Sequence, residues 1–367
     1  MTTLQELYEG CGQSPWLDNL RRGWITSGEL SRWVERGVRG ITSNPSIFAK
    51  AIEGAHDYDD QFKTLVEVGK TIEDSYWNMV TDDIEEALRI LRSVYDDSDG
   101  GDGFVSVEVS PAVARDTTAT IDEAHKLWDQ IDEPNLFVKI PGTAEGLPAI
   151  RACLADGINI NITLLFSIRR YDEVIDAWFD AMEGRARAGQ SIDRLASVAS
   201  FFVSRVDTEV DRRLEAIGTP DALALKGKAA VANAQLAYEL FLQRFSGERW
   251  EALERAGAKV QRPLWASTSV KDPSYPDTLY IDSLIGPNTV NTMPEQTLED
   301  FEDHGTLART VDADFDGARR VIEQLAAVGV DLDDVTRVLE EEGVAAFTKS
   351  YDELLASLES KAGELRT

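Results

Sequence analysis

Lys139 stands in the run Leu136-Phe137-Val138-Lys139-Ile140-Pro141-Gly142-Thr143. A short apolar run closed by Pro-Gly reads as a buried strand ending in a turn. An ammonium group in an apolar wall is costly, and the usual response is a lowered pKa. A lysine that is neutral near pH 7 can attack a carbonyl carbon and form a Schiff base. The structural alternative is a lysine that pairs with a carboxylate and ties two strands together, because ion-pair networks also occupy buried positions. The choice turns on the polar residues of the other apolar runs.

Those residues fall at or near the ends of the runs: Asp18, Asn44, Glu108, Thr163, Ser200, Ser267 and Asn291. Imine chemistry needs a neutral amine, a proton for the departing water, and a base for a neighbouring hydroxyl or carbon. Glu108, one predicted strand before Lys139, can move the protons of carbinolamine dehydration through a water held by Thr163. Asp18 can take a proton from a substrate hydroxyl during C–C cleavage. Asn44, with Asn161 or Ser200, can bind substrate hydroxyls. For Glu108 the structural alternative is an ion pair with Lys139, and for Asp18, Asn44 and Thr163 it is capping or bonding to nearby backbone. Arg205, in Ser200-Phe201-Phe202-Val203-Ser204-Arg205, can clamp a phosphate with its planar fork, or pair with Asp207. Trp265 and Phe202 read as core rather than as substrate platforms.

The elements that must position these groups alternate. A helix over 3–12 precedes a brief strand at 15–19. Ser27 can cap a helix reaching Arg36, and a second strand covers 37–45. Residues 47–95 read as mostly helical, with a solvated loop at 96–101. Strands follow at 104–109, 136–143, 158–166, 195–203, 263–267 and 289–293. Helices are predicted at 120–130, 146–155, 170–187 and 221–245, and the chain is helical after Thr297. Eight strands, most followed by a helix, is the count of an α/β (β/α)8 TIM barrel, here with extra N-terminal and C-terminal helices. A doubly wound sheet also accommodates eight strands, but its site sits at one switch point and needs no polar residue from nearly every strand. The organisation expected is a single barrel domain over 1–367 with a helical C-terminal extension from about 300 to 367.

Composition narrows the function. The 367 residues carry a net charge of −29, which opposes nucleic acid and anionic lipid. It also opposes phosphorylated metabolites, so a site for them must supply its own cations. The polar start, Met1-Thr2-Thr3-Leu4-Gln5-Glu6, is unlike a secretory leader, and no run approaches the length of a membrane span. Cys11 and Cys153 form no spaced pair, which suits a reducing, cytoplasmic setting. His56, His125 and His304 lie in no ligand motif, and neither phosphate-loop nor dinucleotide fingerprint occurs. No metal and no cofactor are expected.

At this point a resemblance enters. Gly40-Ile41-Thr42-Ser43-Asn44-Pro45-Ser46-Ile47-Phe48 resembles the first transaldolase signature, and Val138 to Gly146 resembles its Schiff-base lysine segment. Asn161 to Ser167, Ser200 to Arg205, Trp16 to Leu20, Pro263 to Ser267 and Asn288 to Pro294 are similar as well, in the right order over roughly 14–300. The chain looks like the longer, actinobacterial-type transaldolases and the transaldolase half of transaldolase–glucose-6-phosphate isomerase fusions, without the isomerase half. The resemblance implies a (β/α)8 transferase of the pentose phosphate pathway. Such an enzyme moves a dihydroxyacetone unit from sedoheptulose 7-phosphate or fructose 6-phosphate to glyceraldehyde 3-phosphate or erythrose 4-phosphate. It implies Lys139 as the Schiff-base lysine, Asp18 as the acid/base of C–C cleavage and Glu108 with Thr163 as the water-handling pair. It assigns Asn44, Asn161 and Ser200 to substrate and Arg205 to phosphate. The chain departs from the family in having Ser200-Phe201-Phe202-Val203-Ser204-Arg205 for Ser-Pro-Phe-Val-Gly-Arg. It also has Ala266-Ser267-Thr268-Ser269 for Ala-Ser-Phe-Arg, so Lys271, beyond Ser267, is the nearest candidate for a second phosphate cation. The partners implied are phosphorylated sugars, and a homodimer is one assembly open to such a chain.

Two other readings stand beside it. A fructose-6-phosphate aldolase has the same lysine but tends to carry a tyrosine where this chain has Glu108 or Phe202, and a phenyl ring cannot do the proton work of a phenol. A non-catalytic sugar-phosphate-binding barrel would not need the lysine and both carboxylates.

Overall fold

Eight short buried segments supply the strands of the computed structural model, which describes residues 1–53 and 55–365, the side chains of 364 and 365 aside. They are β1 (Gln13–Leu17), β2 (Gly40–Ile41), β3 (Phe104–Glu108), β4 (Leu136–Pro141), β5 (Ile160–Leu165), β6 (Ser197–Phe202), β7 (Arg262–Ala266) and β8 (Thr289–Met293). Each pairs in parallel with the next, and β8 returns to β1 with Gln13 beside Thr289 and Leu17 beside Met293, closing the barrel. Helices such as Ile72–Asp97, Thr117–Ile131, Gly146–Asp156 and Ile168–Arg187 carry the chain between strands. The (β/α)8 expectation holds, because apolar runs buried on both faces have no solvated side and must be wrapped by helices.

The departures are local. The helical stretch 47–95 divides into Pro45–Glu53, Asp59–Glu67 and Ile72–Asp97; Gly69, at φ 81°, ends the second, and Thr71 caps the third through Asp74 N–H. The helix expected over 221–245 is broken by Gly227 at φ 70° into Pro220–Leu223 and Ala229–Arg244. Ser27 ends the helix Arg22–Thr26, and Gly28 at φ 75° begins Glu29–Arg36, so Ser27 is not its cap. β1 starts and stops earlier than expected, which leaves Asp18 just past its end. The strand expected over 37–45 is two residues long. A Cβ on Gly40 would lie 2.4 Å from the Trp16 indole, so only glycine lets that ring reach the barrel axis.

Side chains that point inward alternate along each strand, and they grade from apolar to polar up the barrel. At the N-terminal end Trp16, Phe104 and Phe137 pack together, with the two phenyl rings 4.3 Å apart. Two residues on, Ser106, Asn161 and Ser200 form a hydrogen-bonded layer: Asn161 Nδ2 donates to Ser106 Oγ at 3.1 Å, and Ser200 Oγ donates to Asn161 Oδ1 at 2.7 Å. Above them stand Glu108, Lys139 and Thr163.

Asp102, two residues before β3, ties the N-terminal rim together. It is 1 % exposed and accepts from Arg39 Nε (2.9 Å), Arg262 Nη2 (3.0 Å), Ser14 Oγ (2.6 Å) and Trp16 Nε1 (3.0 Å). Burial raises a carboxyl's pKa, but Arg262 and Arg39 outweigh it and hold Asp102 below the ordinary range. Its contribution to stability is therefore present above the unfolded carboxyl value and is lost as pH falls through the lower folded one. A cleft of about 650 Å³ opens beside it, but its Asp102 and Arg262 are spent on each other. Asp102→Asn leaves two cations short of a partner, so it should cost about 3–5 kcal/mol in denaturant unfolding. Because it lies at the end of the barrel opposite Lys139, kcat/KM of the folded variant should stay near that of the parent.

Candidate active site

Strand register brings the first pair together. Glu108 on β3 lies beside Lys139 on β4, and Lys139 lies beside Asn161 on β5. Lys139 is 4 % exposed; its Nζ donates to the Ser43 carbonyl at 2.9 Å and sits 3.1 Å from Glu108 Oε2. The pairing read from sequence as the structural alternative is thus present, but at the floor of an open cavity. Burial pushes the Glu108 carboxyl up, against the pull of Lys139. Glu108 Oε2 and Thr163 Oγ1 are both buried with no aligned hydrogen-bond partner. Native proteins rarely leave such atoms idle. A void of about 10 Å³ bordered by Glu108, Ser43 and Asn44 is close to the size of one water.

Thr163 owes its position to a fault in the sheet. The β5–β6 register shifts between Ile162 and Leu165, and Leu164 adopts φ 59°. Such a bulge re-aims side chains, and a positive φ at a leucine is strained. Ser267, just past β7, is also at φ 54°; its hydroxyl bonds with Ser204 Oγ at 2.9 Å.

The cavity itself, of about 260 Å³, opens at the C-terminal ends of the strands. Asp18, Asn44, Lys139, Thr163, Ser200, Arg205, Ser267 and Lys271 all line it. Asp18 Oδ1 accepts from Thr42 Oγ1 at 2.7 Å, and burial raises its carboxyl against the pull of Lys139, Lys271 and Arg205. Asn44 Oδ1 caps the helix Pro45–Glu53 through Ile47 N–H at 3.0 Å, which leaves its amide N–H groups for a ligand. Capping and binding are here two ends of one side chain. Three expected residues do not line the cavity. Glu108 lies behind Lys139, and Asn161 lies beneath, positioning Ser200. Asn291 is buried in mid-strand, accepting from Thr268 Oγ1 at 2.9 Å; its neighbour Thr292 is the one that faces the cavity, because side chains alternate.

Arg205 does not pair with Asp207, which instead accepts from Ala230 N–H and Tyr280 Oη–H. Its guanidinium sits 4.9 Å from the Phe202 ring and 5.9 Å from that of Phe347, and no carboxylate pairs with it among the described residues. Phe202 is therefore a cavity wall rather than only core. Trp265 is core, its Nε1 donating to the Leu284 carbonyl at 3.1 Å.

Sequence reasoning missed Thr42, Lys50, Thr292 and Phe347, all of which line the cavity. Thr42 is the partner that orients Asp18, and its place beside Asn44 in the strand-end segment was the available signal. Phe347 gives no sequence signal: it comes from the C-terminal helix Leu332–Leu365, which packs across the cavity mouth. Among the described residues no group of three His, Cys, Asp or Glu could hold a metal ion, and no helix is long and apolar enough to cross a membrane.

A closed (β/α)8 barrel with a lysine–carboxylate pair under a polar, cation-rimmed mouth defines a class of sites that handle small carbonyl compounds. The family model for transaldolase/fructose-6-phosphate aldolase matches residues 15–358, and the chain belongs to that family. Among its relatives, a protein named transaldolase from Acidothermus cellulolyticus is 52 % identical over 349 residues, covering 95 % of this chain and 94 % of the relative. Transaldolases so named from Thermobifida fusca (96 % of each chain) and Mycobacterium bovis (94 % and 93 %) are each 50 % identical.

Thr163 separates stability from chemistry. Thr163→Val keeps the shape and removes a hydroxyl that has no partner, so thermal unfolding should stay within a degree or two of the parent or rise. If that hydroxyl holds the water of imine formation, kcat should fall by about 10²-fold or more. A matched pair of melting curves and progress curves checks both.

Proposed function

We propose that this protein is a transaldolase, transferring a dihydroxyacetone unit between phosphorylated sugars of the pentose phosphate pathway through an imine on Lys139. The observation that carries the reading is the buried Lys139–Glu108 pair at the floor of the cavity, with Thr163 and Asp18 beside it. Full-length similarity to proteins named transaldolase supports it.

The chemistry follows from where the protons sit. Burial pushes the Glu108 carboxyl up, so it can take a proton from the neighbouring Lys139 ammonium, which leaves an amine able to attack the donor's ketone carbon. Glu108 then returns a proton to the carbinolamine hydroxyl, which leaves as water past Thr163. Asp18, steadied by Thr42, takes the proton of a substrate hydroxyl as the C–C bond breaks. The electron pair of that bond is drawn into the iminium, and an aldose departs. The three-carbon fragment stays on Lys139 until an acceptor aldehyde arrives and the steps reverse. Ser200 and Asn44 bind hydroxyls, with Asn161 holding Ser200, and Ser267 borders the path to the phosphate end. Arg205 holds the phosphate, with Lys271 as the second cation.

A fructose-6-phosphate aldolase would end by releasing free dihydroxyacetone. The phenyl ring of Phe202 in the cavity wall and the Glu108–Thr163 pair favour transfer. The setting proposed is the cytoplasm, supported by Cys11 and Cys153, which stand as free thiols.

Two measurements test this. Borohydride reduction with fructose 6-phosphate should add a reduced three-carbon adduct to the Lys139 peptide; an adduct on another lysine, or none, would sink the mechanism. Arg205→Ala should lower kcat/KM for fructose 6-phosphate relative to fructose by about 10- to 100-fold, the worth of one charge-assisted pair. Lys271→Ala should give a smaller effect of the same kind, since an ammonium lacks the bidentate fork.

A further inference from the structure

The cavity mouth holds a third cation that the phosphate assignment does not use. Lys50 lies on the helix Pro45–Glu53, between β2 and β3, and lines the same cavity as Arg205, after β6, and Lys271, after β7. Three separate parts of the chain thus each place one positive charge at one opening.

None of the three has a carboxylate partner among the described residues, and for an arginine of this chain that is exceptional. Every other described arginine except Arg185 lies within 4.0 Å of a carboxylate oxygen. Arg185 spends its guanidinium on the carbonyls of Ala155 and Ser191. With 66 acidic residues against 37 Lys and Arg, an unpaired cluster of cations is not what composition alone would produce. Like charges held together cost free energy, and an anion bound among them recovers it. The proximity is electrostatically felt: Arg205 and Lys50 both depress the Lys271 ammonium, after burial.

Lys50 is held there by more than its own backbone. Asn44 caps the start of its helix, Phe48 is buried beneath it, and Ser46 Oγ donates to Ser350 Oγ of the C-terminal helix at 2.8 Å. One turn before Ser350, Phe347 flanks Arg205. The C-terminal helix therefore clamps the Lys50 helix and the Arg205 guanidinium on the same side of the opening.

A phosphate monoester carries roughly −1.5 to −2 charges at pH 7. One guanidinium and one exposed, solvent-screened ammonium meet that charge inside a protein whose field repels it, which leaves room for a further cation. We propose that Lys50 is a phosphate-binding residue, completing with Arg205 and Lys271 a three-cation site for the phosphate end of the sugar. The proposal rests on the phosphosugar reading of this cavity and adds a ligand to it. Arg205 meets the phosphate from the barrel side with its fork, and Lys50 and Lys271, both exposed, meet it from the solvent side as point charges.

The test uses the full chain with unphosphorylated erythrose as acceptor, so that only the donor carries phosphate and both donors give net turnover to sedoheptulose. Lys50→Met removes the charge and keeps most of the stem, Lys50→Arg keeps the charge, and Arg205→Ala serves as the reference. The readouts are the ratio of kcat/KM for fructose 6-phosphate to that for fructose, and the inhibition constant of inorganic phosphate. Lys50→Met should lower the ratio and raise the inhibition constant by about 3- to 10-fold each, less than a buried charge-assisted pair because the ammonium is exposed. Lys50→Arg should restore most of both. If both readouts in Lys50→Met stay within twofold of the parent while Arg205→Ala moves them, Lys50 is not a ligand and the phosphosugar reading stands. If neither variant moves them, this proposal and the phosphate assignment of Arg205 fall together.

Discussion

The structure depends on keeping a lysine and a glutamate together, out of water, in the middle of a parallel sheet. Two ionised groups so placed cost several kcal/mol each in lost hydration, and their attraction recovers that only in part. Apolar residues in their place would suit stability equally well or better. What the pair provides is an amine and a carboxyl 3.1 Å apart, neither of them well solvated. That is the condition for an amine that can become a nucleophile without bulk water supplying the base. The barrel makes the arrangement tolerable, because adjacent parallel strands fix Glu108 and Lys139 side by side.

Around that pair the fold departs from regularity where the chemistry needs it. Leu164 and Ser267 occupy left-handed backbone without being glycine, and both adjoin the cavity. The first follows Thr163 at the bulge in β5; the second follows β7, where its hydroxyl bonds with Ser204 at the start of the helix bearing Arg205. Strain of this kind persists only when surrounding packing over-determines it. Here the packing comes from the C-terminal helix. A Cβ on Gly343 would lie 2.9 Å from Leu164 Cδ2 and 3.5 Å from Arg205 Nη1, so that helix sits directly on the strained residue and on Arg205. An extension that reads in sequence as an appendage is part of the cavity wall.

How much of this was legible follows from the range of the interactions. The barrel was, because eight apolar runs ending in polar residues leave few other folds. Asp18, Asn44, Lys139, Thr163, Ser200 and Ser267 were, because strand-end positions project to one mouth whatever the details. Asn291 was misplaced by one residue, and in a strand one residue changes the face; Thr292 holds the place instead. Glu108 and Asn161 were near the site but not at its surface, since Glu108 stands behind Lys139 on the neighbouring strand and Asn161 lies one layer below, where inward-pointing residues stack. Phe347, some 140 residues from Arg205, and Lys50, on a helix whose direction the sequence does not specify, depend on tertiary docking and leave no local pattern.

The acidity of the chain finds its counterpart here. A net charge of −29 spread over the surface repels every phosphosugar that approaches, and screening at physiological salt confines that repulsion to about 8 Å. Within that distance of the mouth, local charges decide. Pairing Lys50, Arg205 or Lys271 with any nearby acid would stabilise the empty protein and weaken the site. Their isolation, in a chain that elsewhere pairs its arginines thoroughly, places a positive opening in a negative surface. On the proposed reading, the same field that repels the ligand at large favours that opening for its phosphate, which would orient the sugar with its carbonyl end toward Lys139.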